Sequence, residues 1–213
     1  LRNEGYEAFY VAIGAQGSRK LNIPGEENEM VESGIDFLRK VNKTEDPNLI
    51  SGDVVVVGGG NVAIDVARAA LRSGAEKVHL YSLEQEAEMP ASFEEVSEAK
   101  EEGIILHCGW GPKEILEDSI VFKQCVSVKD ETARFNPSYD ENVLETIQCS
   151  HVLLSIGQSI VPIQGFDVKV NPNGTIKADG TTLQTSVEDV FAGGDVYTGP
   201  KFAIDAISHG KEA

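Results

Sequence analysis

A glycine-rich stretch between a run of valines and an alanine-rich segment has the residue types that a phosphate-binding turn needs. Val54 to Val57 lead directly into Gly58-x-Gly60-x-x-Ala63. Gly58 permits a tight turn, Gly60 lets the backbone approach a pyrophosphate, and Ala63 lets a helix lie close to the strand. The first amides of that helix have no partners inside it and attract an anion. We predict a dinucleotide site at Gly58, Gly59, Gly60, Asn61, Val62 and Ala63. An ordinary strand-to-helix turn is the structural alternative.

Three other apolar stretches also end in glycine. They are followed by Gly14 and Ala15, by Gly157, and by Gly194 and Asp195. Ligands of open parallel sheets bind beyond the carboxyl ends of the strands, where glycine lets a cofactor approach the backbone. An acid such as Asp195 can accept hydrogen bonds from sugar hydroxyls. Each segment alone could be a plain turn, but together they favour a cofactor site.

The elements around the first turn have the order that such a site requires. The valines predict a parallel strand buried on both faces, followed by a helix over 61–73 and a second strand over 77–81. This βαβ unit over 53–81 supplies the context that a glycine fingerprint needs. A further parallel strand is predicted at 104–107.

The remaining elements complete an α/β fold with a parallel sheet and an antiparallel meander. Ser92, with Glu95 as its capping-box partner, predicts a helix that ends near Glu102. Alternating residues over 113–149 predict the meander, with turns at 117–119 and 136–137. Further predictions are strands at 6–13 and 151–156, loops at 16–28 and 42–52, a helix at 33–41, a hairpin tip at 171–174, a short strand before Gly193, and a last helix from Phe202.

Composition excludes several classes of partner. The 213 residues carry a net charge of −17, which disfavours nucleic acid and anionic membranes. No apolar run approaches the roughly 20 residues of a membrane span. The cysteines Cys108, Cys125 and Cys149 form no C-x-x-C, so a cytoplasmic protein with buried thiols is expected. The histidines show no metal-ligand spacing, and no metal site is predicted.

Several ordered motifs together resemble the flavoprotein family of the glutamate synthase small subunit, which includes the flavin part of dihydropyrimidine dehydrogenase. They cover nearly the whole chain. The matching stretches are AIGA (12–15), IPGE (23–26), VVVVGGGNVAIDVAR (54–68), GAEKV (74–78), EMPAS (88–92), SIGQ (155–158), FAGGDVYTGP (191–200) and AIDAISHGKEA (203–213).

The resemblance implies a two-dinucleotide Rossmann-like fold, with a pyridine-nucleotide domain inserted into a split FAD domain. Residues 1–45 and 158–213 would be parts of the FAD domain, and 46–157 the NAD(P)H domain. The FAD domain's own glycine fingerprint and an iron–sulfur segment would precede Leu1, so the FAD domain is expected to be incomplete here. By the same resemblance Asp195 holds ribityl or ribose hydroxyls, and the helix start at Lys201, Phe202 and Ala203 faces the isoalloxazine.

One departure from the family concerns the choice of coenzyme. NADPH-using members commonly carry paired arginines just after the second strand of the unit, where this chain has Ser82 and Leu83, followed by Glu84. Glu84 would repel a 2′-phosphate and accept hydrogen bonds from a free ribose 2′-hydroxyl. NAD(H) is therefore expected over NADP(H), with a merely solvent-exposed Glu84 as the alternative.

The predicted function is part of a flavin oxidoreductase that passes a hydride from NAD(P)H to FAD and on to a partner protein or large subunit. Such a transfer requires positioning rather than a side-chain acid or base, so no catalytic residue is predicted. The piece alone is expected to be inactive. The rival hypothesis is a Rossmann-type nucleotide-sensing module without redox chemistry, which has no use for the FAGGD segment and the last helix.

Overall fold

The computed structural model describes residues 2–44, 46–162, 165 and 167–213. The chain forms two compact units. One combines Leu1–Gly17 with Gln158–Ala213, and the other is Ser18–Gly157. We call them the split unit and the central unit.

Strands and helices alternate along much of the chain. The strands of the described residues are β1 (Phe9–Val11), β2 (Gly17–Ser18), β3 (Val31–Ser33), β4 (Asp53–Val57), β5 (Lys77–Ser82), β6 (Ile105–Cys108), β7 (Trp110–Ile115), β8 (Ser119–Lys129), β9 (Phe135–Gln148), β10 (His151–Leu154), β11 (Gln158–Ser159) and β12 (Val190–Ala192). The α-helices are α1 (Gly34–Lys43), α2 (Asn61–Arg72), α3 (Phe93–Glu101), α4 (Asp195–Thr198) and α5 (Ala203–Glu212). Short 3₁₀ helices lie at Arg2–Glu4 and Glu86–Glu88.

The central unit is built on a five-stranded parallel sheet in the order β3-β10-β4-β5-β6. The predicted βαβ unit and third strand are confirmed. β4 lies in the middle of the sheet, which explains why its four valines are buried on both faces. Strand β10 returns late in the chain and pairs with β4, so the carboxyl ends of the two strands are neighbours.

One face of this sheet packs against helices. The apolar residues of α2 include Ala63, Ile64, Val66, Ala67 and Ala70, and they are buried in one cluster with Val54, Val56 and Phe37 of α1. Small alanines bring α2 close to the strands, as the sequence predicted. α3 adds Val96 and Ala99 to the same cluster.

The other face packs against residues of the predicted antiparallel meander, β7-β8-β9. The predicted turn at Asn136 and Pro137 is wrong, because both residues lie inside β9. The chain turns instead where Asp130 Oδ1 accepts hydrogen bonds from the backbone amides of Thr132 and Arg134. β9 is an edge strand of the meander, where a proline without an N–H is tolerated.

The split unit contains β1 and β12, paired in parallel with Val11 opposite Ala192. The strand predicted at 6–13 is shorter than expected, because its partner has only three residues. The hairpin tip is confirmed by an antiparallel bridge from Val170 to Ile176. α5 confirms the last helix, and none of its residues is buried.

The two compact units do not follow the predicted division by cofactor at its first boundary. β3 and α1 lie in the central unit, since β3 pairs with β10 and α1 packs on α2, although they fall within the predicted FAD segment 1–45. The assignment of segments to cofactors therefore stays a prediction. Among the described helices, none is long and apolar enough to cross a membrane.

Candidate dinucleotide site

The first glycine of the fingerprint is required by the backbone of the turn. Gly58 has φ 145°, and its N–H donates to the carbonyl oxygen of Tyr81 at 2.9 Å. A Cβ at Gly58 would lie 2.9 Å from the carbonyl carbon of Ser155 and 3.3 Å from the Cβ of Ala63. Gly58 therefore lets β10, β4 and α2 approach one another closely.

The third glycine has a different role, because the protein does not fill the space beside it. Gly60 precedes α2 with φ −93° and ψ 173°, a conformation open to any residue, and a Cβ there meets no heavy atom within 4 Å. No acceptor among the described residues receives the N–H of Asn61 or Val62. A glycine without a steric need thus lies beside two unpaired helix amides, which is the arrangement that an approaching phosphate requires.

The turn is held from outside by the segment that contains the EMPAS motif. The N–H of Ala91 donates to Gly59 O at 3.0 Å, and the N–H of Ser92 donates to Asn61 Oδ1 at 2.9 Å. The side chain of Asn61 therefore fixes the turn rather than pointing freely at a ligand. Sequence reasoning missed this clamp, for which the resemblance to EMPAS was the only signal.

The same contact corrects the predicted capping box. Ser92 Oγ caps α3 by accepting from the N–H of Glu95 at 3.3 Å. The reciprocal bond is not made, because the N–H of Ser92 is bonded to Asn61. Glu95 Oε2 is buried without a partner among the described residues, and burial raises the pKa of this carboxyl group.

The three residues predicted to contact the ribose have unequal access to it. Ser82 is 1% exposed, and its hydroxyl donates to Glu84 O at 2.9 Å, so its side chain belongs to the interior. Leu83 packs beside Gly111 of β7. Glu84 is the residue that reaches the turn, since its Oε2 lies 2.8 Å from the position of a Cβ on Gly59.

Gly157 lies at the same edge of the sheet, just beyond β10. It has φ 111°, and its carbonyl oxygen accepts from the N–H of Arg19 at 3.2 Å. The side chain of Arg19 also runs past Gly157, with Cδ 3.6 Å from a Cβ position there. Arg19 brings a positive charge to this edge and was not predicted.

The split unit holds the second set of predicted residues. Gly14 has φ 66° with open space beside it, and Ala15 is buried. Gly194 has φ 71°, and its N–H donates to His209 Nδ1 of α5 at 3.1 Å. Sequence reasoning did not assign His209 a role, although it fixes this turn.

The acid of this turn is already engaged by the backbone. Asp195 Oδ1 accepts from the N–H of Lys201 at 3.1 Å, so it organises the segment that leads into α5. Phe202 at the start of that helix is 75% exposed, and Ala203 begins the helix. The structure thus brings Gly194, Asp195 and Lys201 together.

The cysteines are unsuited to thiolate chemistry at neutral pH. Burial raises the pKa of Cys149 to about 12, and it also raises the pKa values of Cys108 and Cys125. Within the described part of the chain, no group of three or more His, Cys, Asp or Glu side chains could hold a metal ion.

With this geometry established, comparison with known proteins identifies the family. Residues 2–210 match the sequence profile described as pyridine nucleotide-disulphide oxidoreductase. The chain belongs to this family. The resemblance to glutamate synthase small subunits is confirmed, because such subunits are among its relatives.

Two relatives show how much of this chain resembles known members of the family. The NADP(+)-dependent formate dehydrogenase subunit beta of Moorella thermoacetica is 37% identical, over 98% of this chain and 31% of that protein. The glutamate synthase [NADPH] small chain of Azospirillum brasilense is 30% identical, over 97% of this chain and 47% of that protein. The chain thus spans less than half the length of either relative.

Solved structures confirm the predicted two-dinucleotide fold. FprA of Mycobacterium tuberculosis in complex with NADPH superposes with a TM-score of 0.80 at 19% identity, over 98% of this chain and 62% of that chain. Thioredoxin reductase of T. acidophilum gives a TM-score of 0.70 at 19% identity, over 97% and 63%. At these identities the comparison establishes the fold alone.

Proposed function

We propose that this chain is the pyridine-nucleotide end, together with part of the flavin end, of a flavin-dependent oxidoreductase. When both cofactors are bound, NAD(P)H supplies a hydride and FAD accepts it. The open space at Gly60, beside the unpaired amides of Asn61 and Val62, is the observation that carries this proposal. Membership of the oxidoreductase family supports it.

The residues of the central unit bind and orient the dinucleotide. The amides of α2 face the pyrophosphate, and the clamp from Ala91 and Ser92 keeps Gly59 and Asn61 fixed before the ligand arrives. A site that is already organised loses less conformational entropy on binding. Gly157, at the neighbouring strand end, leaves room for the rest of the coenzyme.

The predicted division by cofactor is retained as part of the proposal, with 46–157 for NAD(P)H and 1–45 and 158–213 for FAD. The open space at Gly14 fits a close approach by the flavin nucleotide. Asp195 has one carboxylate oxygen on the Lys201 amide, and its other oxygen can accept from a flavin hydroxyl. The segment from Lys201 to Ala203, which leads into α5, faces the isoalloxazine in this proposal.

For the coenzyme we propose a preference for NADH over NADPH. The relatives named above carry NADP(+) or NADPH in their names, so the family itself does not decide for NADH. This chain's own loop supports NADH, because the carboxylate of Glu84 lies beside Gly59, where the proposed site would place a ribose. A carboxylate there accepts bonds from a free 2′-hydroxyl and repels a 2′-phosphate.

The electron acceptor is proposed to be a partner protein. The relatives are named as a subunit and a small chain, which supports an assembly without naming its other member. The cysteines among the described residues are free, which suits the proposed cytoplasmic location.

Calorimetric titration of the chain with NADH and NADPH tests this function directly. Gly60→Val fills the open space and should abolish binding of both coenzymes without lowering the melting temperature. Gly210→Val is the matched control, since Gly210 also has no heavy atom within 4 Å of a Cβ but lies on α5. Normal binding and normal melting of Gly60→Val would place the dinucleotide elsewhere.

A further inference from the structure

Tyr81 connects the nucleotide turn to the antiparallel meander. Its carbonyl oxygen accepts the N–H of Gly58 at 2.9 Å, and it lies opposite Val57, the last residue of β4. The position of Tyr81 therefore sets where the glycine turn begins. Its side chain points to the face of the sheet that the meander covers, and it is fully buried.

The ring of Tyr81 lies in a stack of three parallel rings. His107, its neighbour across β5 and β6, stacks on one side at 4.2 Å between centroids and 6° between planes. Phe122 of β8 stacks on Tyr81 at 3.8 Å and 6°. The ring of Tyr81 cannot shift without displacing the meander or β6.

The hydroxyl of Tyr81 is held by the same part of the meander. It donates to Glu145 Oε1 at 2.7 Å, and Glu145 lies opposite Phe122 in the register of β8 and β9. One cross-strand pair of the meander thus contacts both the face and the hydroxyl of one tyrosine. Burial raises the pKa of Tyr81, and the carboxylate raises it further, so the phenol remains a donor.

Two histidines extend this contact into a hydrogen-bonded chain. His107 Nε2 lies 3.0 Å from His79 Nδ1, and His107 Nδ1 lies 3.5 Å from Glu145 Oε1. A positively charged His107 carries an N–H on both ring nitrogens, so it would donate to a neutral His79 from one and to Glu145 from the other. Two charged rings would oppose N–H to N–H, so the pair can take up one proton but not two.

The charges around the two histidines agree with the uptake of a proton by this pair below neutral pH. Burial lowers the pKa values of both histidines, His107 lowers the pKa of His79 further, and the carboxylate of Glu145 opposes the shift in both. The other titratable groups that face the cluster are Asp53 at the start of β4, Lys77 at the start of β5, and Cys149 after β9. A proton on His107 gives Glu145 a second, charged partner that competes with the hydroxyl of Tyr81.

We propose that Tyr81 is a positioning residue for the nucleotide turn, that Glu145 of the meander holds it, and that one proton taken up by the His79–His107 pair weakens this hold. The part concerning coenzyme affinity rests on the proposed function of the Gly58 turn. The part concerning the turn itself does not.

Amide hydrogen exchange of Gly58, measured by NMR in the chain without nucleotide, tests the positioning role. Tyr81→Phe keeps the ring stack and Glu145→Gln keeps the side-chain shape, so both should fold. Tyr81→Phe should speed exchange of the Gly58 amide by about tenfold, the equivalent of one hydrogen bond to a charged group. Glu145→Gln should speed it a few-fold, because the amide oxygen still accepts a weaker bond. Glu141→Gln is the control, because Glu141 lies on the same strand and pairs with Lys123. Unchanged exchange in both variants would overturn the proposal.

The pH profile of coenzyme affinity tests the protonation step. In the unchanged chain, NADH should bind a few-fold more weakly at pH 5.5 than at pH 8, and Glu145→Gln should remove most of this difference. A profile that persists in Glu145→Gln would contradict the role of Glu145. If the unchanged chain binds neither NADH nor NADPH, the proposed function fails, and the exchange measurement still decides whether Tyr81 positions the turn.

Discussion

The glycine turns at Gly58 and Gly194 are held in different ways. The turn at Gly58 is fixed by its bond to Tyr81, by close contact with the Ser155 backbone and by the segment that carries Ala91. The turn at Gly194 is bonded to His209, on a helix without buried residues, and to the backbone of Val11 through Gly193.

The difference shows what each unit can do with its own residues. The Gly58 turn sits on a buried five-stranded sheet, so its geometry is set before any ligand binds. The Gly194 turn is bonded to α5, whose apolar residues Ile204 and Ile207 are exposed. We therefore expect the Gly58 turn to bind a pyridine nucleotide without help from the split unit. The Gly194 turn should bind flavin only weakly without further contacts.

The largest expected effect concerns flavin. Among the described residues, one strand–turn–helix fingerprint occurs, at 53–63, and we assign it to NAD(P)H. A flavin site without its own fingerprint should bind several factors of ten more weakly than one that has it, and each factor of ten is worth about 1.4 kcal/mol. The purified 213-residue chain should be colourless, without flavin absorption, and should not oxidise NADH with artificial acceptors. A yellow chain with one flavin per molecule would show that the split unit suffices.

Substitution of Gly58 and of Gly194 by alanine distinguishes the tightly packed turn from the more open one. Both Gly58 and Gly194 have positive φ, but a Cβ at Gly58 meets the Ser155 backbone, whereas one at Gly194 lies 3.4 Å from the Ala206 methyl. Gly58→Ala should lower the free energy of unfolding by about 2–5 kcal/mol, from strain plus overpacking. Gly194→Ala should lower it by about 1–3 kcal/mol, from backbone strain without overpacking. Urea unfolding followed by circular dichroism measures both, and equal losses would remove the distinction.

Sequence patterns predicted the central unit well where local signals were strong. The buried valines, the glycine turn and the alanines of α2 specify the βαβ unit without outside information, because a buried strand and an amphipathic helix have distinct periods. The turn prediction at Asn136 and Pro137 was wrong because proline on an edge strand is compatible with strand pairing. The turn at Asp130 has a weaker sequence pattern.

Long-range contacts could not be predicted in the same way. The bond from Ser92 to Asn61 and the contact between Tyr81 and Glu145 join residues 31 and 64 positions apart. Neither pair has a periodic signal, and the EMPAS resemblance marks Ser92 without indicating its partner, because each contact depends on how α3 and the meander pack on the sheet. The same is true of His209, which becomes a partner of Gly194 only after the helix folds back.

The preference for NADH or NADPH tests the role of Glu84 beside the Gly58 turn. Since Ser82 is buried, the variant should change only the two half-buried positions, Leu83→Arg with Glu84→Ser. Each charge-assisted contact to a phosphate is worth roughly 1.5–3 kcal/mol, so the ratio of NADPH to NADH affinity should rise about 10- to 100-fold. Glu86→Ser is the control, because it removes a nearby charge that pairs with Lys100. An initial preference for NADPH in calorimetry would contradict the proposed role of Glu84.

The smallest expected effect is a loss of stability in mild acid that is confined to the central unit. Burial lowers the pKa values of His79, His107 and His151, all in this unit. As pH falls through 6.5, the unfolded chain takes up these protons before the folded chain does, so stability decreases until the lowered pKa values are passed. Because the rings are partly exposed, each should contribute less than about 1 kcal/mol.

The fluorescence of Trp110, the chain's one tryptophan, reports unfolding of the central unit alone. Its urea midpoint should fall between pH 7.5 and pH 5.5, and His151→Gln should remove part of that fall. Carboxylates such as Glu102, whose pKa is lowered by Arg68, lose their contribution only below about pH 4.5, the usual value for a glutamate, so the two effects separate. A midpoint that stays constant or rises over this range would show that the histidines are as easily protonated in the folded unit as in the unfolded chain.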